Sequence, residues 1–133
     1  MKKFSLVIAI LAIAVLVMAC LVSCVNIPDE PADAAKKLED AGCIVITQTS
    51  AAEMAAYKAA FEAKNIFIVG DIRAYLTITY NGETGKLIYL ETSSDADEVY
   101  EGYSRMESYS TLYRDNLIIY AGADSIYEIL KQK

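Results

Sequence analysis

The nine residues from Ile72 to Tyr80 alternate strictly: Ile72, Ala74, Leu76, Ile78 and Tyr80 take one side of an extended chain, and Arg73, Tyr75, Thr77 and Thr79 take the other. A two-residue period cannot form one helical stripe, so the middle of the chain must be a strand with a buried face. Asn81-Gly82-Glu83-Thr84-Gly85 supplies turn chemistry, and Lys86 to Thr92 supplies a second strand. The pairing that keeps like with like sets Ile78 opposite Ile88, Leu76 opposite Leu90, Thr77 opposite Tyr89 and Tyr75 opposite Glu91. One hairpin face is then aliphatic. The other carries Tyr75, Thr77 and Tyr89, with Tyr120 expected to join them from a later strand.

The flanking segments fill in the elements around this hairpin. Asp29-Glu30-Pro31 starts a helix over 31 to 41, with Ala34, Leu38 and Ala41 on one face, Asp33 spaced i, i+4 from Lys37, and Gly42 as its stop. Cys43 to Thr49 reads as a strand, and its apolar residues on both faces point to an interior position. Ser50 and Glu53 stand at capping-box spacing before an Ala-rich helix that ends near Asn65, with Met54, Tyr57 and Phe61 as its stripe. A further helix begins around Ser94, with Val99, Tyr103 and Met106 inward. Thr111 to Tyr120 is a strand that Arg114-Asp115-Asn116 can break in two, and Ala123 to Lys131 is a closing helix. The middle six elements resemble the βαββαβ ferredoxin-like arrangement. That resemblance implies an α+β, two-layer sandwich with one antiparallel sheet and two helices on one face, plus an extra N-terminal and an extra C-terminal helix.

The N-terminus has a different character. Met1-Lys2-Lys3 is positive, Phe4 to Ala19 is almost wholly apolar, and Leu21-Val22-Ser23-Cys24 follows. This stretch resembles the signal peptide and lipobox of bacterial lipoproteins. The resemblance implies a diacylglyceryl group on Cys24, cleavage before it, and a mature protein held on the extracytoplasmic face of a membrane. The domain plan becomes a signal peptide at 1–23, a tether at 24–30 and one domain at 31–133. Two alternatives stay open. Leu6 to Val22 is a run of 17 apolar residues, near the roughly 20 an uncleaved anchor needs. Val17-Met18-Ala19-Cys20 is a second, poorer lipobox, and its use would leave Cys24 able to pair with Cys43. The rest of the chain resembles small lipoprotein and secreted domains of Gram-positive bacteria, with no functional motif shared.

Composition narrows the chemistry. The 133 residues contain no His, which excludes Ser-His-Asp and Cys-His sites. Beyond residue 23, ten basic side chains face eighteen acidic ones, so nucleic acid is not an expected partner. No cofactor motif is present, since neither helix nor Lys-Ser/Thr pair follows Gly82 and Gly85 in P-loop spacing. Asp95, Asp97, Glu98 and Glu101 could ligate a hard cation, but three of them fall in a helix's first turn, where the dipole accounts for them, and no metal site is expected. Cys43 reads as a core thiol, and Arg73 and Arg114 as surface cations open to an anionic ligand.

Three functional classes follow. The expected one is a lipid-anchored, non-catalytic module that binds an envelope protein or peptide through Tyr75, Thr77, Tyr89 and Tyr120, provided that face is open. If helix one or the last helix covers it, those tyrosines are core. The second class is self-association by stacking of open sheets. The third is a carboxylate-dependent hydrolase built on Asp71 and Glu91, with Tyr75 assisting.

Overall fold

A computed structural model of the chain describes residues 27–106 and 108–132. The segment expected to be a signal peptide (1–23), with Cys20, and the lipidation candidate Cys24 lie outside the described residues. The elements run α1 (Pro31–Asp40), β1 (Ile44–Gln48), α2 (Ala51–Ala63), β2 (Ile72–Tyr80), β3 (Glu83–Leu90), α3 (Ser93–Met106), β4 (Thr111–Asp115), β5 (Ile118–Gly122) and α4 (Asp124–Leu130).

Local chemistry sets the boundaries. Pro31 occupies the first turn of α1, where its missing N–H costs nothing. The helix closes through Gly42 at φ 96°, with the Cys43 N–H donating to Leu38 O and the Gly42 N–H to Glu39 O. Helix α2 ends the same way, with Asn65 at φ 63° and the Ile66 N–H donating to Phe61 O. Both are left-handed terminations. At the start of α2, the Glu53 N–H donates to Ser50 Oγ at 3.2 Å while Ser50 Oγ donates to Glu53 Oε1 at 2.7 Å, so the expected capping pair forms. In α3 the capping residue is Thr92, whose Oγ1 accepts from the Asp95 N–H at 3.2 Å, two residues before the expected Ser94.

The five strands form one antiparallel sheet in the order β1-β2-β3-β5-β4. The fold is α+β, as the patterning implies, but the strand order is not the ferredoxin-like one, because β1 pairs directly and antiparallel with β2. The two helices of the expected core, α2 and α3, do share one face, but the extra helices α1 and α4 cover the other. Ala34, Ala35 and Leu38 of α1 and Ile126 and Leu130 of α4 pack with Ala74, Leu76, Ile78, Leu87, Tyr89, Ile118 and Tyr120. Met54 and Phe61 of α2 and Ala96, Val99 and Tyr103 of α3 pack with Ile72, Tyr75, Ile88, Leu90, Ile119 and Ala121. Helices therefore cover both sides of the sheet, in three layers. Lys37 joins the first and last helices by donating to Leu130 O at 2.7 Å and to Gln132 O, so it serves the C-terminus of α4.

The hairpin register differs from expectation for a definite reason. Asn81 at φ 50° and Gly82 at φ 79° make a two-residue turn with Tyr80 opposite Glu83, the geometry that Asn-Gly prefers. Leu76 then faces Leu87, Tyr75 faces Ile88 and Thr77 faces Lys86. Compared with a turn spanning 81–85, this slip is an odd number of residues, so it moves every β3 side chain to the other face. A bulge between Ile72 and Ala74 adds a second change of side, bringing Ile72 onto the Tyr75 face and leaving Arg73 exposed.

Candidate functional site

Three of the four residues expected to form a Tyr/Thr binding face are interior, and they lie on different sides of the sheet. Tyr75 sits under α2, its ring stacked on Tyr57 with centroids 3.8 Å apart and planes 5° apart. Burial pushes its phenol up, against the opposing pull of the Lys86 ammonium. Tyr89 lies on the opposite face, fully buried beneath α1, and its hydroxyl donates to Pro28 O at 2.7 Å. Tyr120 shares that face, stacked against Tyr127 and donating to Ala123 O at 2.6 Å. Gly85 makes room for it, since a Cβ there would stand 2.7 Å from the Tyr120 hydroxyl. Burial raises the pKa of both Tyr89 and Tyr120 well above the ordinary value. Thr77 is half-buried beside Ile46 and Lys86. An open Tyr75/Thr77/Tyr89/Tyr120 face therefore does not exist: the odd register separates the residues and helices on both sides cover the tyrosines.

Among the described residues, the outer edge of β1 is left open. This strand is not interior. Among the described residues it pairs with β2 alone, and Ile44 and Ile46 are 68 % and 58 % exposed. They stand beside Thr79 and Thr77 on the α2/α3 side of the sheet, beyond the reach of α2, which covers Tyr75. On the other side, Val45 packs into the core, and Thr47 and Thr49 border a groove of about 470 Å³ completed by Glu30, Pro31, Ala35 and Glu39 of the α1 region. The far end of β1 is held by polar contacts: Gln48 Nε2 donates to Glu53 Oε2 at 2.5 Å, and the Tyr57 hydroxyl donates to Gln48 Oε1. The Ser50 and Gln48 hydrogen bonds hold the Glu53 carboxyl below its ordinary pKa.

The two sheet edges are unlike each other. β4 carries Arg114 and Asp115, and Arg114 is fixed by an ion pair to Asp97 and by donation to Ser93 O at 3.0 Å. β1 has no charged residue, no Pro, no Gly and no bulge. It sits within the longest uncharged run of the described chain, residues 41–52. Charges and irregularities are the usual protection of an edge against pairing. β1 has none.

The carboxylates Asp71 and Glu91 do come together. They line a cleft of about 520 Å³ with Lys58, Arg73, Thr49, Met54 and Ile72, and the Asp71 N–H donates to Glu91 Oε2 at 3.4 Å. Tyr75 does not line this cleft. The acidic group of α3 disperses: Asp95 turns into the protein, where its two carboxylate oxygens accept from the Val69 N–H at 2.9 Å and the Gly70 N–H at 2.8 Å, and Asp97 pairs with Arg114. Among the described residues, no group of three or more Cys, Asp or Glu is placed to hold a metal ion, and no helix is long and apolar enough to cross a membrane. Cys43 is buried, and burial raises its thiol pKa.

Sequence reasoning missed Ile44 and Ile46 as surface residues, because apolar side chains on both faces of a strand look the same in an interior strand and in an uncovered edge. It also left 66–71 unassigned. There Ile66 and Ile68 are buried and Phe67 and Val69 exposed, an alternation hidden because all four are apolar.

Comparison with protein-family models, with curated proteins and with solved structures finds no match to this chain.

Proposed function

We propose that the chain is a lipid-anchored, non-catalytic interaction module on the extracytoplasmic face of a membrane, and that it engages its partner by strand addition at β1. The observation that carries the contact surface is the exposure of Ile44 and Ile46 on an uncharged, unprotected edge. An incoming extended segment would gain main-chain hydrogen bonds along β1, while Ile44 and Ile46 on one side and the α1 groove on the other would read its alternating side chains. The location rests on the Leu21-Val22-Ser23-Cys24 motif, with Cys24 as the lipidated residue. The partner this surface suits is an envelope protein or peptide. Nucleic acid suits neither the acidic charge nor an apolar edge.

Two measurements test the two halves. Intact mass of the membrane-extracted protein should show loss of residues 1–23 and an acyl-sized gain on Cys24, whereas an unprocessed chain beginning at Met1 would refute the lipid anchor. A photo-reactive residue at position 44, compared in intact cells with one at Glu62 on the solvent side of α2, should give a crosslinked product at 44 only, and Ile46→Lys should abolish it. Equal products from both positions, or none from 44, would refute the β1 surface.

A second reading has one observation behind it, the shared cleft of Asp71 and Glu91. Hydrolytic activity lost in Asp71→Asn would establish it.

A further inference from the structure

We infer that the strand added at β1 is β1 of a second copy of this chain, paired antiparallel about a twofold axis through Ile46 to make one continuous ten-stranded sheet. This deepens the strand-addition reading and rests on it.

The charge of the domain selects the partner surface. Two copies, each with an excess of acidic side chains, repel one another over most orientations, and an approach through β1 brings no charged strand residue to the joint, with Lys36 beside Glu30 and Glu39 along its α1 border. The other edge cannot serve equally, because a second β4 would bring Arg114 and Asp115 of both copies to the joint. Stacking of open sheets, the form of self-association expected from the sequence, is closed off by the helices on both faces.

The edge is also self-complementary. A twofold centred on Ile46 sets Ile46 against Ile46 of the other copy and Ile44 against its Gln48, so uncharged residues meet along the whole joint. Such a closed, isologous contact stops at two copies, since it consumes the one unprotected edge of each. The position of Ile27 agrees with it as well. A twofold normal to the sheet keeps the α1/α4 layers of both copies on one side, and this is the layer in which Ile27 packs. The described residues of both copies therefore begin on the same side of the joined sheet.

The test uses the full, membrane-inserted chain in a Cys43→Ser background. Directly opposed strand residues have Cα atoms about 4.5–5.5 Å apart, within disulfide range. Ile46→Cys should therefore give a covalent homodimer under mild oxidation, and Glu62→Cys should not. Thermal unfolding of each variant establishes that it is folded. Sedimentation of the detergent-solubilised full chain should show a concentration-dependent dimer, weakened on the order of tenfold or more by Ile46→Lys, which sets like charges face to face. A folded Ile46→Cys protein that remains monomeric, with a mass independent of concentration, overturns the inference. In that event, capture of a different protein from position 44 would leave strand addition standing with another partner, and no product from position 44 would remove both readings.

Discussion

Asp95 is the only charged side chain taken into the interior among the described residues, at 1 % exposure. Its carboxylate accepts from two consecutive N–H groups 25 and 26 residues earlier in the chain, tying the segment before β2 to the first turn of α3. Asp95→Ala removes both charge-assisted bonds from the part-buried Val69 and Gly70 N–H groups, which should cost about 1–3 kcal/mol, read as a fall in the urea midpoint at unchanged slope. In the sequence Asp95 is legible only as an acid favoured by a helix N-terminus. Its partners are backbone groups in a segment with no pattern of its own, so the role could not be read from side-chain spacing. Gly102 is a parallel case. A Cβ there would stand 2.4 Å from the Ile66 side chain, which is fully buried. Gly102→Ala gains about 1 kcal/mol of helix propensity but overpacks at a cost of about 1–3 kcal/mol, so thermal unfolding should show a net loss.

Among the elements, those bounded by caps were legible almost to the residue. Gly42, Ser50 and Asn65 each fix a local hydrogen-bond pattern, and α1 and α2 begin and end where those residues stand. The hairpin was legible as a hairpin but not in register. Matching aliphatic with aliphatic presumes one buried face, while the Asn81-Gly82 turn obeys backbone geometry and both faces are in fact covered. β1 shows the converse limit: its composition identifies a strand, and its neighbours in the sheet are decided by chain topology. Its exposure gives a clean prediction. In monomeric protein, Ile44→Lys and Ile46→Lys should each change stability by no more than about 0.5 kcal/mol, while each abolishes the β1 contact. A loss of several kcal/mol in chemical unfolding would mean that these isoleucines support the fold rather than a partner.

For the whole molecule, tyrosine governs the response to alkali. Burial raises the phenols of Tyr75, Tyr89, Tyr103, Tyr113, Tyr120 and Tyr127 above the ordinary value of 10.0. The folded state therefore holds protons that the unfolded chain releases near pH 10. The stability this represents is fully present below that pH and is lost as pH rises from it toward the folded-state values. Absorbance of phenolate should show a late, cooperative rise above pH 10 that coincides with loss of helical circular dichroism. A single stage near pH 10 with the fold intact would contradict the packing. The site, unlike the fold class, was hardly legible. Tyr75, Tyr89 and Tyr120 drew attention as large amphipathic groups, and a covered sheet turned them into core, whereas Ile44 and Ile46 were ordinary strand residues until the sheet order left them outside.

Backbone amide exchange over Ile44–Gln48, in intact cells and again after extraction and dilution, tests the β1 surface most directly. Strand addition predicts protection of β1 in intact cells that falls on dilution while β2 and β3 stay protected. Equal exchange of β1 in both conditions would contradict it.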